Sequence, residues 1–462
     1  MVKRCGSAVL CVAALFLNVS AVQTYTEQVL FTGGDYGSNC FRIPAIATTK
    51  SGYIISVCDA RYTSCADLPG TIDVVQRRSI DNGTTWDSMK IIGHYASVGS
   101  GDPALLCDRT NGTIWCFFAS NRGLFTSTPT NRIEVNVISS TDEGVTWSSP
   151  RIISNSVYKT GWYAVWVASG AAHQTRAGRL CAAVGVRENS GTTITNFMIY
   201  SDDHGTTWHS ASGRAYTSGD EAKLLELNNG TMMINIRNSG YRRINTSLDS
   251  GNTWGTSYLD NALVDPACNA DLIRYTSTLD GYNKNRVLFS NCAATSRKNL
   301  TVRISYDEAS TWTYSRVIDT GVTAYSAMTI LADGSIGLYY EKGSSIRMVF
   351  AKFNLEWLTT GRDTFRLATP VVPREPSRRS NEGLVVQSRV NAGTLNITMK
   401  GIRAGGYSIA LCDIRGRTLL SRTGLGNSSI NETMDVSGFP KGLYLLACRN
   451  GDEKSLSKIV LR

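Results

Sequence analysis

Apolar and polar positions along this chain group into short strand-like runs, among them TIDVVQRR at 71–78, RIEVNVIS at 132–139, TNFMIYS at 195–201 and LTVRIS at 300–305. Each run leads into the same eight-residue phrase. It reads SIDNGTTW at 79–86, STDEGVTW at 140–147, SDDHGTTW at 201–208, SLDSGNTW at 247–254 and, in a worn copy, SYDEASTW at 305–312. The Asp and Gly of the phrase suit a tight turn, the Asp bonding nearby backbone and the Gly accepting positive φ. The Trp that follows is suited to the apolar space between sheets. In the fifth copy Ala309 stands where the others have Gly. A staple can be lost from one repeat without losing the fold, so the phrases read as structural supports and not as metal or ligand sites.

Successive phrases start 61, 61, 46 and 58 residues apart. A spacing near 56 leaves room for about six units between residues 23 and 360, as a propeller of four-stranded blades requires. Long runs of Leu, Ala, Glu and Lys with helical period are absent, while 42 Gly, 20 Tyr and 9 Trp are present, a balance that favours an all-β fold. The expectation is a six-bladed β-propeller over 23–368.

Composition shifts after FNLEWLTTG. The segment TPVVPREPSRRSNEG at 369–383 is rich in Pro and charge and reads as a linker. Beyond it, short strands separated by turns predict a small β-sandwich over 384–462. At the other end, Lys3 and Arg4 precede an apolar run from Ala8 to Leu17 and then small residues. That order predicts a cleavable export signal over 1–22, its apolar run too short to span a bilayer, and no later segment reads as transmembrane.

Twelve cysteines fit an exported chain. Cys5 and Cys11 leave with the signal, and the remaining ten suit an oxidising compartment. An Asn111-Gly112 turn would set Cys107 opposite Cys116 in a hairpin disulfide. Pairing of Cys58 with Cys65 would stiffen the loop that carries Asp67. No Cys/His group has zinc-ligand spacing, so no metal is expected.

The net charge of +10 is unevenly spread. Residues 361–462 hold 16 Lys/Arg and 8 Asp/Glu, Lys3 and Arg4 add two more positive charges, and residues 5–360 balance at 29 of each sign. With no basic stripe interleaved with aromatics, nucleic acid is excluded as a partner. Any anion drawn to the large domain must meet particular residues.

Three such residues stand out. FRIPAI at 41–46 puts Arg42 just before Pro44, whose fixed ring gives a rigid place from which to aim a guanidinium inward. GTMMINIRNSGYRR ends an apolar strand at Arg237, and SNCAATSRKNLTVRIS carries Arg297. Three inward Arg from three blades would make a fork for one carboxylate.

Together, FRIP, the repeated phrases, GDEAKLLELNNGTMMINIRN, SNCAATSRKNLTVRISYDE and AYSAMTILADGSIGLYYEKG make residues 36–345 resemble the sialidase (neuraminidase) family, in particular its bacterial secreted branch. The resemblance implies hydrolysis of terminal sialic acid from glycans with retention and without a cofactor. It implies Arg42, Arg237 and Arg297 as the triad on the substrate carboxylate, Tyr325 as nucleophile, Glu221 as its base and Asp67 as general acid/base. Arg61 and Asp102 would sit near the sugar hydroxyls, and Glu341 would brace Arg42. Asp67 lies in SCADLPGTID, where the local pattern departs from the family, so Asp73 and Asp59 stay open as the acid. Its Gly- and Pro-bearing loop would close over the leaving group.

The chemistry is consistent with that set. Sialic acid carries a carboxylate on its anomeric carbon, so a carboxylate nucleophile would meet like charge, whereas a neutral Tyr would not; sialidases are the known Tyr exception among glycosidases. A phenol needs a base to become a good nucleophile. A trans-sialidase, or an enzyme forming an anhydro product, would use the same residues. A catalytically silent sialic-acid lectin would be expected to lack Tyr325, Glu221 or Asp67, and all three are present. The end of the chain, with YSIALCDIRGR, VSGFPKGLYLLA and SKIVL in that order, resembles the C-terminal sorting domains of type IX secretion. That implies secretion machinery as a partner and a secreted or cell-surface location; a carbohydrate-binding module is the other reading of such a tail.

Overall fold

The computed structural model describes residues 22–95, 98–365, 384–413, 418–450 and 453–461. Most of the export-signal segment and the whole linker at 369–383 lie outside the described residues. The chain divides into two compact units, Met1–Val371 and Val372–Arg462.

The first unit is built of antiparallel four-stranded meanders. Cys40–Thr48, Ile54–Arg61, Ile72–Ser79 and Lys90–Gly93 pair in chain order. Meanders with first strands Ser100–Cys107, Ala164–Val167, Ala222–Glu226 and Asp271–Thr276 follow. The 17-residue strand Tyr314–Ile330 is the fourth strand of one meander through Tyr314–Val322 and the first strand of the next through Thr323–Ile330. That next meander continues through Ile336–Lys342 and Arg347–Phe353 and is completed by the N-terminal strand Tyr25–Phe31. A strand from one end of the unit thus joins the sheet at its other end.

Alternation along each inner strand explains why these runs read as nearly continuous apolar sequence. Ala45 and Ala47 pack into a cluster with Leu105 and Cys116 of the following sheet, while Ile46 between them packs with Ala327 and Tyr339 of the preceding one. Ala104, Leu106 and Phe117 face Val165, Leu180 and Phe197 in turn. Each sheet is buried on both faces, so both parities must be apolar.

All five phrases close the turn after a third strand with one hydrogen-bond circuit. In the third, Ser201 Oγ donates to Asp203 Oδ1 and accepts from Gly205 N, while Thr207 bonds both Asp203 oxygens. The other four repeat it at Asp81, Asp142, Asp249 and Asp307. Trp86, Trp147, Trp208, Trp254 and Trp312 each pack into a different inter-sheet cluster. Another large cluster has no phrase Trp; Trp357, from the short helix Leu355–Leu358, packs there instead.

Two cysteine expectations are overturned. Cys107 and Cys116 are free, because the hairpin closes at Asp108–Thr113 with a longer loop, setting Cys107 across from Ile114 and Cys116 across from Leu105. Cys65 pairs with Cys40, not Cys58, at a Cα–Cα distance of 5.8 Å. Cys58 points from mid-strand into the apolar cluster and is free.

The second unit is a single five-stranded sheet, Val385–Asn391, Thr394–Cys412, Thr418–Asp435, Gly442–Asn450 and Glu453–Leu461. Leu395, Ile397 and Met399 from one end of its longest strand share a core with Ile409 and Leu411 from the other and with Leu446 of Gly442–Asn450. Register shifts between Lys400 and Gly405 separate the two ends. Among the described residues no helix is long and apolar enough to cross a membrane.

Candidate active site

Strand direction decides which residues can meet. In an antiparallel meander the start of the first strand and the end of the second lie at one end, and the turn after the third lies at the other. Arg42, Asp102, Glu221 and Tyr325 belong to first strands or their lead-ins, and Arg61, Arg237 and Glu341 to the ends of second strands. Asp67 and Arg297 follow second strands. All therefore lie at the end opposite the repeated phrases.

There, a cavity of about 570 Å³ is lined by Arg42, Asp67, Asp102, Glu221, Arg237, Arg297 and Tyr325. Arg61 and Glu341 stand behind its wall. No residue of the five phrases lines it.

Arg42 is aimed by strained backbone. The bulge between Arg42 and Ala45 puts Ile43 at φ 63, a left-handed conformation costly for a β-branched residue, immediately before Pro44. The same device recurs at Gly101–Ala104, where Asp102 takes φ 58 before Pro103. Glu341, 1 % exposed, holds the first bulge: its carboxylate accepts from Arg42 Nε at 3.2 Å, Arg42 Nη2 at 3.3 Å, Ile43 N at 2.9 Å and Tyr325 N at 3.3 Å.

Arg237 Nη1 donates both to Glu221 Oε2 at 2.7 Å and to the Tyr325 hydroxyl at 2.9 Å. Its Nε lies 3.2 Å from Asp220. The guanidinium carbons of Arg42 and Arg297 lie 5.4 and 5.6 Å from the Tyr325 ring centroid. Arg297 is the least tethered of the three, bonded among the described residues only to Ala267 O at 3.4 Å. Burial, reinforced by Glu221, holds the Tyr325 hydroxyl well above the ordinary tyrosine range, so it is protonated at neutral pH. Burial works against the charge on Glu221, but Arg237, Lys223 and a 2.7 Å hydrogen bond from Ser169 outweigh it and hold the carboxyl below its usual range. Burial and the adjacent Glu221 push Asp220 up to about 6.

Across the cavity, Arg61 is fully buried and locked. It bonds Asp59 Oδ2 through Nε and Nη2, and its Nη1 reaches Cys65 O at 2.7 Å and Asp67 Oδ1 at 2.8 Å. Burial raises Asp59 to about 6 against the pull of Arg61, and burial together with Asp59 raises Asp102 to about 8. Asp67, with 74 % of its side chain exposed, faces the open cavity, which Asp102 also lines. Asp59 is spent on Arg61 and on Asp102 N, and Asp73 pairs with His94 at 2.6 Å away from the cavity.

The Asp67 loop differs from the lid expected of it. Cys40–Cys65 ties its start, and Gly99 and Gly123 pack against its backbone so closely that a Cβ would lie 2.2 Å from Gly70 O and Leu68 O respectively. The loop is pinned, not hinged. Leu124, Phe125, Trp166 and Ile194 supply an apolar wall that sequence reasoning missed, since they come from different loops and strands. Asp220 was within reach, being beside Glu221 in GDEAK. Ser169 and Asn269 gave no signal at all.

Comparison with known proteins gives the family. Residues 60–338 match the BNR repeat-like domain, and residues 391–462 match the secretion system C-terminal sorting domain. The chain is 37% identical to a sialidase of Micromonospora viridifaciens over 77% of its length and 30% identical to one of Bacteroides fragilis over 70%. It spans 57% and 63% of the length of those two relatives. Among solved structures, Hadza microbial sialidase Hz136 superposes with a TM-score of 0.66 at 32% identity, covering 71% of this chain and 68% of that one. On its repeats, its cavity and these relatives, the chain belongs to the sialidase family and carries a C-terminal secretion sorting domain.

Proposed function

We propose that this protein is an exo-sialidase that releases terminal sialic acid from glycoproteins, glycolipids and oligosaccharides with retention, through a covalent intermediate on Tyr325. The observation that carries the reading is the sharing of Arg237 Nη1 between Glu221 and the Tyr325 hydroxyl, with Arg42 and Arg297 flanking the same ring. Three guanidinium groups around one phenol suit a substrate whose carboxylate sits on the carbon to be attacked.

In the first step the sialoside carboxylate engages Arg42, Arg237 and Arg297. Tyr325 Oη attacks the anomeric carbon and passes its proton to Glu221, while Asp67 protonates the departing oxygen. In the second step Asp67 takes a proton from water, which attacks the same carbon and releases Tyr325, whose oxygen recovers its proton from Glu221. The neutral Tyr325 and ionised Glu221 described above are the states the first step requires. Asp102 flanks the sugar hydroxyls, whereas Arg61, expected there too, is buried behind the wall and acts by fixing Asp67. Export through the signal at 1–22 and the sorting domain would deliver the enzyme outside the cell or to its surface.

Hydrolysis of a fluorogenic sialoside by wild type and Tyr325→Phe tests this, with NMR of the first-formed anomer. Loss of turnover in the variant and retention in the wild type are expected. Wild-type turnover by Tyr325→Phe, or an inverted first product, would sink it.

A further inference from the structure

Beneath the cavity floor lies a charged residue that the mechanism above does not use. Lys223 follows Glu221 by two positions on the strand lead-in, so the two side chains share one face of the backbone. Lys223 is 2 % exposed, and a buried ammonium is rare unless compensated. Its Nζ donates to Ser169 O at 2.7 Å and Asn269 Oδ1 at 2.8 Å. Asn269 Nδ2 in turn donates to Ser169 Oγ at 3.0 Å, and Ser169 Oγ donates to Glu221 Oε1. The circuit runs from the ammonium to the carboxylate without reaching solvent.

Two buried carboxylates attract that ammonium. One is Glu221; the other is Asp271, whose oxygens accept from Met328 N at 2.6 Å and Leu272 N at 3.0 Å and so tie neighbouring meanders together. Arg242 is the nearby like charge, itself neutralised by Asp265 at 2.8 Å. Burial lowers Lys223 to about 8 against these attractions, so it is charged through the acid and neutral range.

We propose that Lys223 is a positioning residue whose buried ammonium keeps Glu221 ionised, and hence able to take the Tyr325 proton, at acid pH. The proposal rests on Glu221 acting as the base for Tyr325. Arg237 cannot do this alone through turnover, because a bound substrate carboxylate competes for its guanidinium, whereas Lys223 is out of substrate's reach. Removing the ammonium leaves burial unopposed on that side and raises the Glu221 pKa. Removing the Asp271 charge takes away a nearby buried like charge and lowers the Glu221 pKa.

The test is the pH profile of kcat and kcat/KM on a fluorogenic sialoside for Lys223→Met, Lys223→Arg, Asp271→Asn and Glu221→Gln, with thermal midpoints alongside. Lys223→Met is expected to move the acid limb up by about one pH unit and, since Glu221 starts below its usual range, to lower kcat near pH 5 by roughly twofold to threefold, approaching tenfold only well below both limbs, with KM little changed. Lys223→Arg should return the limb towards wild type; Lys223 borders a second cavity of about 270 Å³ that gives the larger group room. Asp271→Asn should move the limb down, the opposite sign. If Lys223→Met does not fold, Lys223→Gln, which keeps a donor for Ser169 O without the charge, decides by the same upward shift. Loss of stability with acid limbs unmoved, or shifts of the same sign in both variants, would overturn the proposal. Wild-type kcat in Glu221→Gln would instead overturn the base assignment on which it stands.

Discussion

At the scale of single residues, the three arginines around Tyr325 are held differently, and their substitutions should separate accordingly. Arg297 has one long bond to a carbonyl, so Arg297→Ala should leave the thermal midpoint near wild type. It should lower kcat/KM by the roughly tenfold to hundredfold that a lost charge-assisted contact of about 1.5–3 kcal/mol implies. Arg42→Ala and Arg237→Ala should cost similar activity and also stability, because each strands a buried carboxylate, Glu341 or Glu221. Differential scanning fluorimetry beside steady-state kinetics checks this. Near-wild-type turnover by any one of the three would remove that Arg from the carboxylate fork.

At the scale of the element, the repeated phrase is a turn that carries an anchor. Gly205 has φ 87, and a Cβ there would lie 2.3 Å from the Trp115 ring. Gly205→Ala therefore combines left-handed strain of about 1–2 kcal/mol with a clash against a packed indole. Its melting temperature and soluble yield should fall, while KM of the folded fraction stays unchanged. Ala309, at φ 64 in the worn copy, already occupies a pocket with Leu225, Met233 and Leu272. Ala309→Gly relieves strain but loses a buried methyl worth about 0.8 kcal/mol, so it should shift stability little. A large change in substrate affinity with an unaltered melting temperature in Gly205→Ala would mean that the phrases face the substrate.

At the scale of the whole chain, the proposed catalytic residues, from Arg42 to Glu341, belong to the first compact unit, and the sorting-domain match falls in the second. A chain ending at Thr369 should hydrolyse sialosides at close to the full rate in vitro. In its own host it should stay inside the outer boundary of the cell instead of reaching the surface or medium. Normal delivery of the shortened enzyme with weaker glycan binding would make the tail a carbohydrate-binding module.

Strand runs, repeat spacing and the turn chemistry of the five phrases are local properties, and periodicity and Asp/Gly placement report them directly. They made the all-β class and the structural role of the phrases legible. The arginine fork was suggested by the residues themselves, but the other proposed roles came through family resemblance; nothing local marks Tyr325 among twenty tyrosines. Tertiary structure decided the rest, because those partners are far apart in the chain. Arg42 meets Glu341 across 299 positions only because the N-terminal strand completes the last sheet. Cys65 finds Cys40 and not the nearer Cys58, since strand parity turns Cys58 into the core. Ser169 and Asn269 converge on Lys223 and Glu221 from separate meanders. Such partners are set by which strand ends share one face of the propeller, and that depends on how the sheets pack, not on any single run of sequence.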